Sequence, residues 1–141
     1  MNTQASLLPV TRELVPEDQR MYVVERLFGM AFPLQLEPVV YGITDRMAGE
    51  YTGGYWDFFT LSNGGFYMAP SEDRVFHVKC QNMYDGNLSA EALGITSCLY
   101  AYSNLSFSLS DIAREYARHY HLLSEYSMGH AEVREILGAT D

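Results

Sequence analysis

One segment of twenty residues, from Tyr51 to Pro70, constrains the fold of this 141-residue chain more than any other. It reads YTGGYWDFFTLSNGGFYMAP and contains seven aromatic residues and four glycines. Residues 55–61 alternate between two faces as a β-strand does, and residues 66–69 predict a second strand directly after it. The connection between them accepts the backbone conformations of a tight turn. The segment therefore predicts a β-hairpin with three structural turn residues, Asn63, Gly64 and Gly65.

The rest of the pattern predicts an α+β fold. A third strand is expected over Val75 to Cys80, where apolar residues alternate with polar ones, and it would complete a small three-stranded antiparallel β-meander. Helical periodicity and cap signals predict four to five α-helices packed against this sheet. These helices are expected at about 17–28, from Pro38, from Ser89, from Ser110, and at about 129–137.

The chain is expected to form a single compact domain over residues 1–141, with residues 1–15 as a partly ordered N-terminal arm. A length of 141 residues with 48% hydrophobic content is enough for one buried core and too short for two ordinary domains. The first residues do not resemble a signal peptide, and no run of eighteen apolar residues occurs. We therefore predict a soluble cytoplasmic protein without membrane contact, whose two cysteines, Cys80 and Cys98, are free thiols.

The charge of the chain disfavours direct binding of nucleic acid. Eighteen acidic residues outnumber eight arginines and one lysine, which gives a net charge of −9. An acidic protein could instead imitate the DNA duplex, but ten base pairs carry roughly twenty phosphates. The acids are also spread evenly, since residues 1–50, 51–100 and 101–141 each have a net charge of −3. Mimicry of DNA stays an alternative interpretation.

Residues with catalytic or metal-binding chemistry are scattered. His119 and His121 point in different directions on a helix and cannot share a metal ion. His119 lies on an apolar stripe, which predicts a packed histidine whose ring nitrogens bind backbone groups. The motifs of serine hydrolases, phosphate-binding loops and dinucleotide-binding folds are missing from the sequence. We expect no enzymatic activity, metal or cofactor, and a small enzyme of unknown reaction is the alternative.

The hairpin has more aromatic surface than a sheet with one buried face requires. Helices could cover the second face, or its rings could bind a protein, or they could stack on single-stranded DNA bases. The third possibility lacks the basic track that a DNA backbone needs. Asp57, alone among the rings, is expected at an exposed edge or in a pair with Lys79 or an arginine. The candidate interaction surface comprises Tyr55, Trp56, Asp57, Asn63 and Tyr67.

The same segment resembles a known signature. YTGGYW followed by F-x-L-SNGG-FYMAP is similar to the KlcA/ArdB antirestriction proteins of plasmids and other mobile elements, and the resemblance extends over nearly the whole chain. It implies protection of incoming DNA from type I restriction-modification systems by a protein that is not itself an enzyme. The protein partner would be the restriction-modification complex or a host factor associated with it.

Overall fold

The structure, a computed structural model, describes residues 8–141 and contains two antiparallel sheets and five α-helices. The first sheet has the strand order β1-β2-β3 and the second pairs β4 with β5. The strands are β1 (Arg12–Leu14), β2 (Trp56–Leu61), β3 (Phe66–Pro70), β4 (Val75–Lys79) and β5 (Asp85–Ser89). The helices are α1 (Arg20–Phe28), α2 (Glu37–Met47), α3 (Ala90–Ser106), α4 (Ala113–Met128) and α5 (Val133–Thr140). The predicted α+β class is confirmed.

The predicted hairpin is confirmed as β2 and β3, which pair from Trp56 opposite Pro70 to Thr60 opposite Phe66. Its turn needs glycine at one position, because Gly64 has a φ of +94°. The amide of Gly64 donates to the carbonyl of Leu61 at 2.9 Å and closes the turn.

The predicted third strand of this sheet is wrong. The strand at Val75–Lys79 exists, but it pairs with β5 in a separate hairpin. Residues 85–89 form β5, and the chain reverses just before it, where the Cys80 amide donates to the Tyr84 carbonyl at 2.9 Å. The third strand of the first sheet is β1, from the segment predicted as an arm.

Hydrogen bonds from the residues on either side of β1 extend its pairing with β2. The Thr11 amide donates to the Ser62 hydroxyl at 2.9 Å, and the Ser62 amide donates back to the Thr11 carbonyl at 2.8 Å. The Val15 amide donates to the Phe58 carbonyl at 2.8 Å. Residues 11–15 are therefore part of the sheet, while residues 1–7 of the predicted arm lie outside the described residues.

The helix that was predicted to start at Ser89 begins as expected, whereas the two helices that follow it begin later than predicted. Ser89 is the N-cap of α3, and its hydroxyl accepts from the Ala92 amide at 3.1 Å. Ser110, predicted as the N-cap of α4, instead accepts from the Ile112 amide at 3.3 Å in the turn that precedes the helix. The last helix begins at Val133, later than predicted, because residues 129–132 form turns.

Helix α3 is the centre of the molecule. It is buried along most of its length, and it packs against β3, α2, α4 and α5. Gly94 allows the close approach to the sheet, since a Cβ atom there would lie 2.4 Å from the backbone of Ala69. Among residues 8–141, no helix has the length and apolar character that crossing a bilayer requires.

Candidate functional site: the aromatic hairpin and its surroundings

Most of the predicted aromatic surface is buried in the core. Trp56 and Tyr67 have relative exposures of 3% and 0%, so neither can contact a partner in this conformation. The placement of these two rings at an interaction surface is therefore wrong. The reason is that helical segments cover both faces of the hairpin: Phe28 and Phe32 pack on Phe66 and Phe58, and Tyr126 of α4 stacks on Tyr67. This is the first of the three alternatives left open by the sequence.

Trp56 lies in a cluster of three aromatic rings. Its indole meets the rings of Tyr41 and Tyr51 edge-on, with centroid distances of 5.2 and 5.9 Å. Its Nε1–H donates to the Tyr51 hydroxyl at 2.8 Å, which satisfies the polar atom of the buried ring. Trp56 thus fastens the start of β2 to α2 and to the loop that follows α2.

Tyr67 stacks between β2 and α4. Its ring lies parallel to Phe59 at 4.9 Å and to Tyr126 at 5.7 Å. Its hydroxyl is buried and has no hydrogen-bond partner among residues 8–141. Burial raises the pKa of Tyr67 well above its usual value, with a further contribution from the nearby Glu91 carboxylate, so the hydroxyl stays protonated.

Tyr55 and Asp57 are the predicted residues that do reach the surface. Tyr55 is 52% exposed, and its hydroxyl donates to the Glu17 carboxylate at 3.0 Å. The Arg20 guanidinium lies 4.6 Å from the centre of the Tyr55 ring and 4.4 Å from that of Phe58. Arg20 also lies 3.9 Å from the carboxylate of Asp57. Of the alternatives for Asp57, the arginine partner is the one observed.

Arg20 organises this surface from α1. Its Nη2 donates to the Trp56 carbonyl at 2.7 Å, at the point where the hairpin begins. We call Glu17, Arg20, Tyr55 and Asp57 the Tyr55 cluster. It presents one aromatic ring, one cation and two carboxylates, a mixture that suits recognition of a protein surface.

Asn63 links the hairpin turn to α4. Its Nδ2 donates to the Leu122 carbonyl at 3.0 Å and to the Glu125 carboxylate at 2.9 Å. Its Oδ1 accepts from the Gly65 amide at 3.0 Å. A Cβ atom at Gly65 would lie 3.0 Å or less from Leu122 and Leu61. Asn63, Gly64 and Gly65 thus lie in a turn that is shaped to fit against α4.

A polar cluster next to β1 was not found by sequence reasoning. Glu91 on α3 binds the Arg12 guanidinium at 3.0 Å and the His130 Nε2 at 2.7 Å. The Glu132 amide donates to His130 Nδ1 at 3.0 Å, so Nε2 carries the proton that Glu91 accepts. The hydrogen bond from His130 is the main cause that lowers the pKa of Glu91. No sequence signal joins residues so far apart, and their contacts fasten β1 to α3 and to the turn before α5.

His119 is packed as predicted, but its ring nitrogens have no hydrogen-bond partners among residues 8–141, which corrects the expected backbone bonds. Its ring lies 4.7 Å from that of Phe28. Burial, and to a lesser degree Arg118, lowers the pKa of His119 to about 4. Within the same residues, no three His, Cys, Asp or Glu side chains come together as metal ligands would.

The exposed apolar residues of the connecting loops were also missed. Phe107 and Leu109, between α3 and α4, have relative exposures of 87% and 103%. Leu34, in a π-helical turn before α2, is exposed as well. Gln35 joins the two loops, because its side-chain oxygen accepts from the Ser110 hydroxyl at 3.0 Å.

Comparison with known proteins places the chain in a family. The family described as "Antirestriction protein" matches residues 49–141. The antirestriction protein KlcA of Escherichia coli is 37% identical over 144 residues, with all of both chains covered. The protein YafX of Escherichia coli K12 is 42% identical over 134 residues, which cover 90% of this chain and 85% of YafX.

A solved structure from work on KlcA and ArdB agrees with the fold. It has a TM-score of 0.87 and 36% identity, and the match covers 95% of this chain and 96% of the solved chain. The KlcA and ArdB proteins are described there as having a novel fold and antirestriction activity against type I DNA restriction systems in vivo but not in vitro. On these matches in sequence and structure, the chain belongs to the antirestriction protein family.

Proposed function

We propose that this chain is an antirestriction protein of a mobile element and protects incoming DNA from type I restriction-modification systems by binding a protein. Family membership supports the biological role. The observation that supports binding to a protein is the exposure of aromatic and apolar side chains beside carboxylates that are paired with arginine. Tyr55 and Asp57, held by Arg20, are the proposed contact residues on the hairpin. The partner is the restriction-modification complex or a host factor on which that complex depends.

The charge pattern favours protein contact over imitation of DNA. A mimic must present free carboxylates at the density of phosphates. Within residues 8–141, five acidic side chains form ion pairs with arginine: Glu50, Asp57, Glu72, Glu91 and Glu115. A sixth, Asp85, forms a hydrogen bond with His77. These pairs reduce the negative potential near the carboxylates involved. Burial of exposed apolar side chains by a partner, in contrast, lowers the free energy of the complex.

The behaviour described for KlcA and ArdB supports a cellular partner. A DNA mimic competes directly for the DNA-binding site of the restriction enzyme, so it should act on the purified enzyme. Activity in vivo but not in vitro is expected when a further cellular component is needed. We propose no bond-breaking step for this chain: His119 is buried without access to a substrate, and the Glu91 and Asp57 carboxylates are bound to arginine.

The test is the plating efficiency of unmodified phage on a restricting host that expresses the chain. The wild-type chain should raise plating, and the double variant Tyr55→Ala, Asp57→Ala should lower it again at matched protein abundance. Tyr22→Ala is the control, because Tyr22 is also an exposed tyrosine but lies on the side of α1 opposite to Arg20. Circular dichroism would confirm that all three proteins are folded.

Two outcomes would contradict the proposal. If the wild-type chain gives no protection against type I restriction, the antirestriction role is wrong for this chain. If the purified chain competes with DNA for a purified type I enzyme, and the competition weakens as salt rises, the chain acts as an acidic mimic.

A further inference from the structure

A groove runs between α2 and α3 on the described surface. It consists of two cavities of about 240 and 400 Å³ that meet at the side chain of Arg46. The first is lined by apolar Ile43 and Met47 and by Lys79 from β4. The second lies toward Leu34 and Leu105. We call these two cavities the α2–α3 groove.

We propose that the α2–α3 groove binds a protein segment that combines apolar side chains with carboxylates. This inference rests on the proposed function in one respect, namely that the molecule bound in the groove is a protein. It names the chemistry of that segment and a site that is separate from the Tyr55 cluster. Neither cavity is lined by any residue of that cluster.

The charge of the groove is opposite to that of the chain. Acids outnumber bases two to one in the sequence, yet no acidic residue lines either cavity, whereas Arg46 and Lys79 do. Within residues 8–141, neither cation forms an ion pair. Asp85, which lies opposite Lys79 in the β4–β5 ladder, binds His77 instead. Two unpaired cations on an acidic protein favour a partner with carboxylates.

The walls of the groove favour a peptide over a nucleic-acid backbone. Its lining includes five aliphatic side chains, those of Leu34, Val39, Ile43, Met47 and Leu105. Contact between aliphatic side chains and other apolar groups is favourable because it removes apolar surface from water. Contact with the charged phosphates and polar sugars of a nucleic acid does not provide this stabilisation. The amide side chain of Asn104 is also available to a backbone.

The presence of glycine at position 42 is a second observation that supports a bound segment in the groove. It lies inside α2, where glycine is less favourable than alanine. Its φ is not positive, and the nearest neighbour of a Cβ placed at this position is Nη1 of Arg46, at 3.6 Å. Neither backbone geometry nor packing therefore requires the glycine. A side chain at this position would take up space in the second cavity, which Gly42 lines.

The first experiment uses charge reversal in the phage-plating assay. The groove pair is Arg46→Glu with Lys79→Glu, and the control pair is Arg26→Glu with Arg134→Glu. Both pairs change the net charge equally, and Arg26 and Arg46 both lie in the last turn of a helix. We expect the groove pair to abolish protection and the control pair to keep it. If the wild type and the groove pair protect equally, the inference is overturned and the proposed function stands.

The second experiment measures binding with purified protein, so that it decides the inference even if the wild-type chain gives no protection. Fluorescence anisotropy would compare a labelled peptide of alternating leucine and glutamate, its lysine counterpart, and a labelled single-stranded oligonucleotide. The acidic peptide should bind the wild type and the control pair, and its Kd should rise about tenfold with the groove pair. Equal binding of the acidic and basic peptides, or no binding of the acidic one, overturns the inference. Oligonucleotide binding that the groove pair weakens would assign the groove to nucleic acid instead.

Discussion

Substitution of Gly94 by alanine tests the closest approach between a helix and the sheet. A Cβ atom at this position would lie 2.4 Å from the Cα and Cβ atoms of Ala69 and from the carbonyl oxygen of Met68. Carbon atoms in contact normally lie about 3.5–4.0 Å apart. Helix α3 would therefore have to move away from β3 by about 1 Å. Because these neighbours are backbone atoms and a short side chain, no rotamer change can relieve the clash.

The size of the effect follows from two opposing terms. Overpacking of a well-packed core typically costs about 1–3 kcal/mol, and here the upper part of that range applies because α3 is buried along its length. The higher helix propensity of alanine returns about 1 kcal/mol. We expect Gly94→Ala to lower the free energy of unfolding by about 2 kcal/mol. For a chain of this size, this corresponds to a fall in Tm of about 4–8 °C.

Gly42→Ala is the matched control, because it makes the same change inside another helix. The Cβ there would meet only the Arg46 guanidinium, at an ordinary contact distance of 3.6 Å. The propensity term then dominates, and the variant should be more stable by about 0.5–1 kcal/mol.

Urea unfolding, followed by the fluorescence of the single tryptophan, Trp56, would measure both variants. Trp56 is buried in the folded chain and would become exposed on unfolding, so its emission reports the transition. If Gly94→Ala unfolds at the same or a higher urea concentration than the wild type, the approach of α3 to β3 is not as close as described. If both variants are destabilised alike, the space around the glycine does not decide whether substitution by alanine raises or lowers the free energy of unfolding.

Two further predictions concern polar residues. The pKa of His119 is about 4 in the folded chain and about 6.5 when unfolded, so at pH 5 the unfolded state binds a proton that the folded state does not. Between pH 7 and pH 5 the wild type should therefore lose about 2 kcal/mol more stability than His119→Phe in urea unfolding, and parallel pH profiles would contradict this. Asn63→Ala removes two hydrogen bonds from the turn to α4 and one within the turn, and should cost about 1–3 kcal/mol in the same assay. Asn87→Ala, at an exposed residue of β5, should change stability by less than about 0.5 kcal/mol, and an equal loss in both variants would refute the role of Asn63.

The parts of the fold that follow from local signals were predictable from the sequence. The β2–β3 hairpin needs only alternation and a glycine turn, which are encoded within one segment. The start of α3 depends on the Ser89 side chain and an amide three residues later. Such contacts are short in sequence, so the pattern itself carries the information.

Strand partners depend on contacts far apart in sequence and were not predictable in the same way. Strand β1 has three residues and no lasting period, and its partner β2 lies more than forty residues further along. Strand β4 was recognised by its alternation, but its pairing with β5 depended on a reversal at Met83, a non-glycine residue with a φ of +76°. Alternation identifies a strand without specifying which neighbour it joins.

The candidate site shows the same division between pattern and burial. An excess of aromatic residues measures how much apolar surface a segment must cover, but it does not say whether the cover comes from the same chain. For Trp56 and Tyr67 it comes from Tyr41, Tyr51 and Tyr126. Tyr55 stays at the surface and is held there by Arg20, a contact across more than thirty residues. Only the structure distinguishes it from its buried neighbours.

The segment that carries the family resemblance is therefore mainly a packing unit, and this changes how its variants should be interpreted. Trp56→Ala would remove a buried ring and a satisfied hydrogen bond, a class of change that costs about 3–5 kcal/mol. Loss of protection in that variant would report unfolding, whatever the mechanism. Substitutions at exposed Tyr55 or Arg46 change the surface at little cost in folding, so a loss of protection there reports a contact. The function of this chain is thus best tested at positions where folding stability and partner binding can be separated.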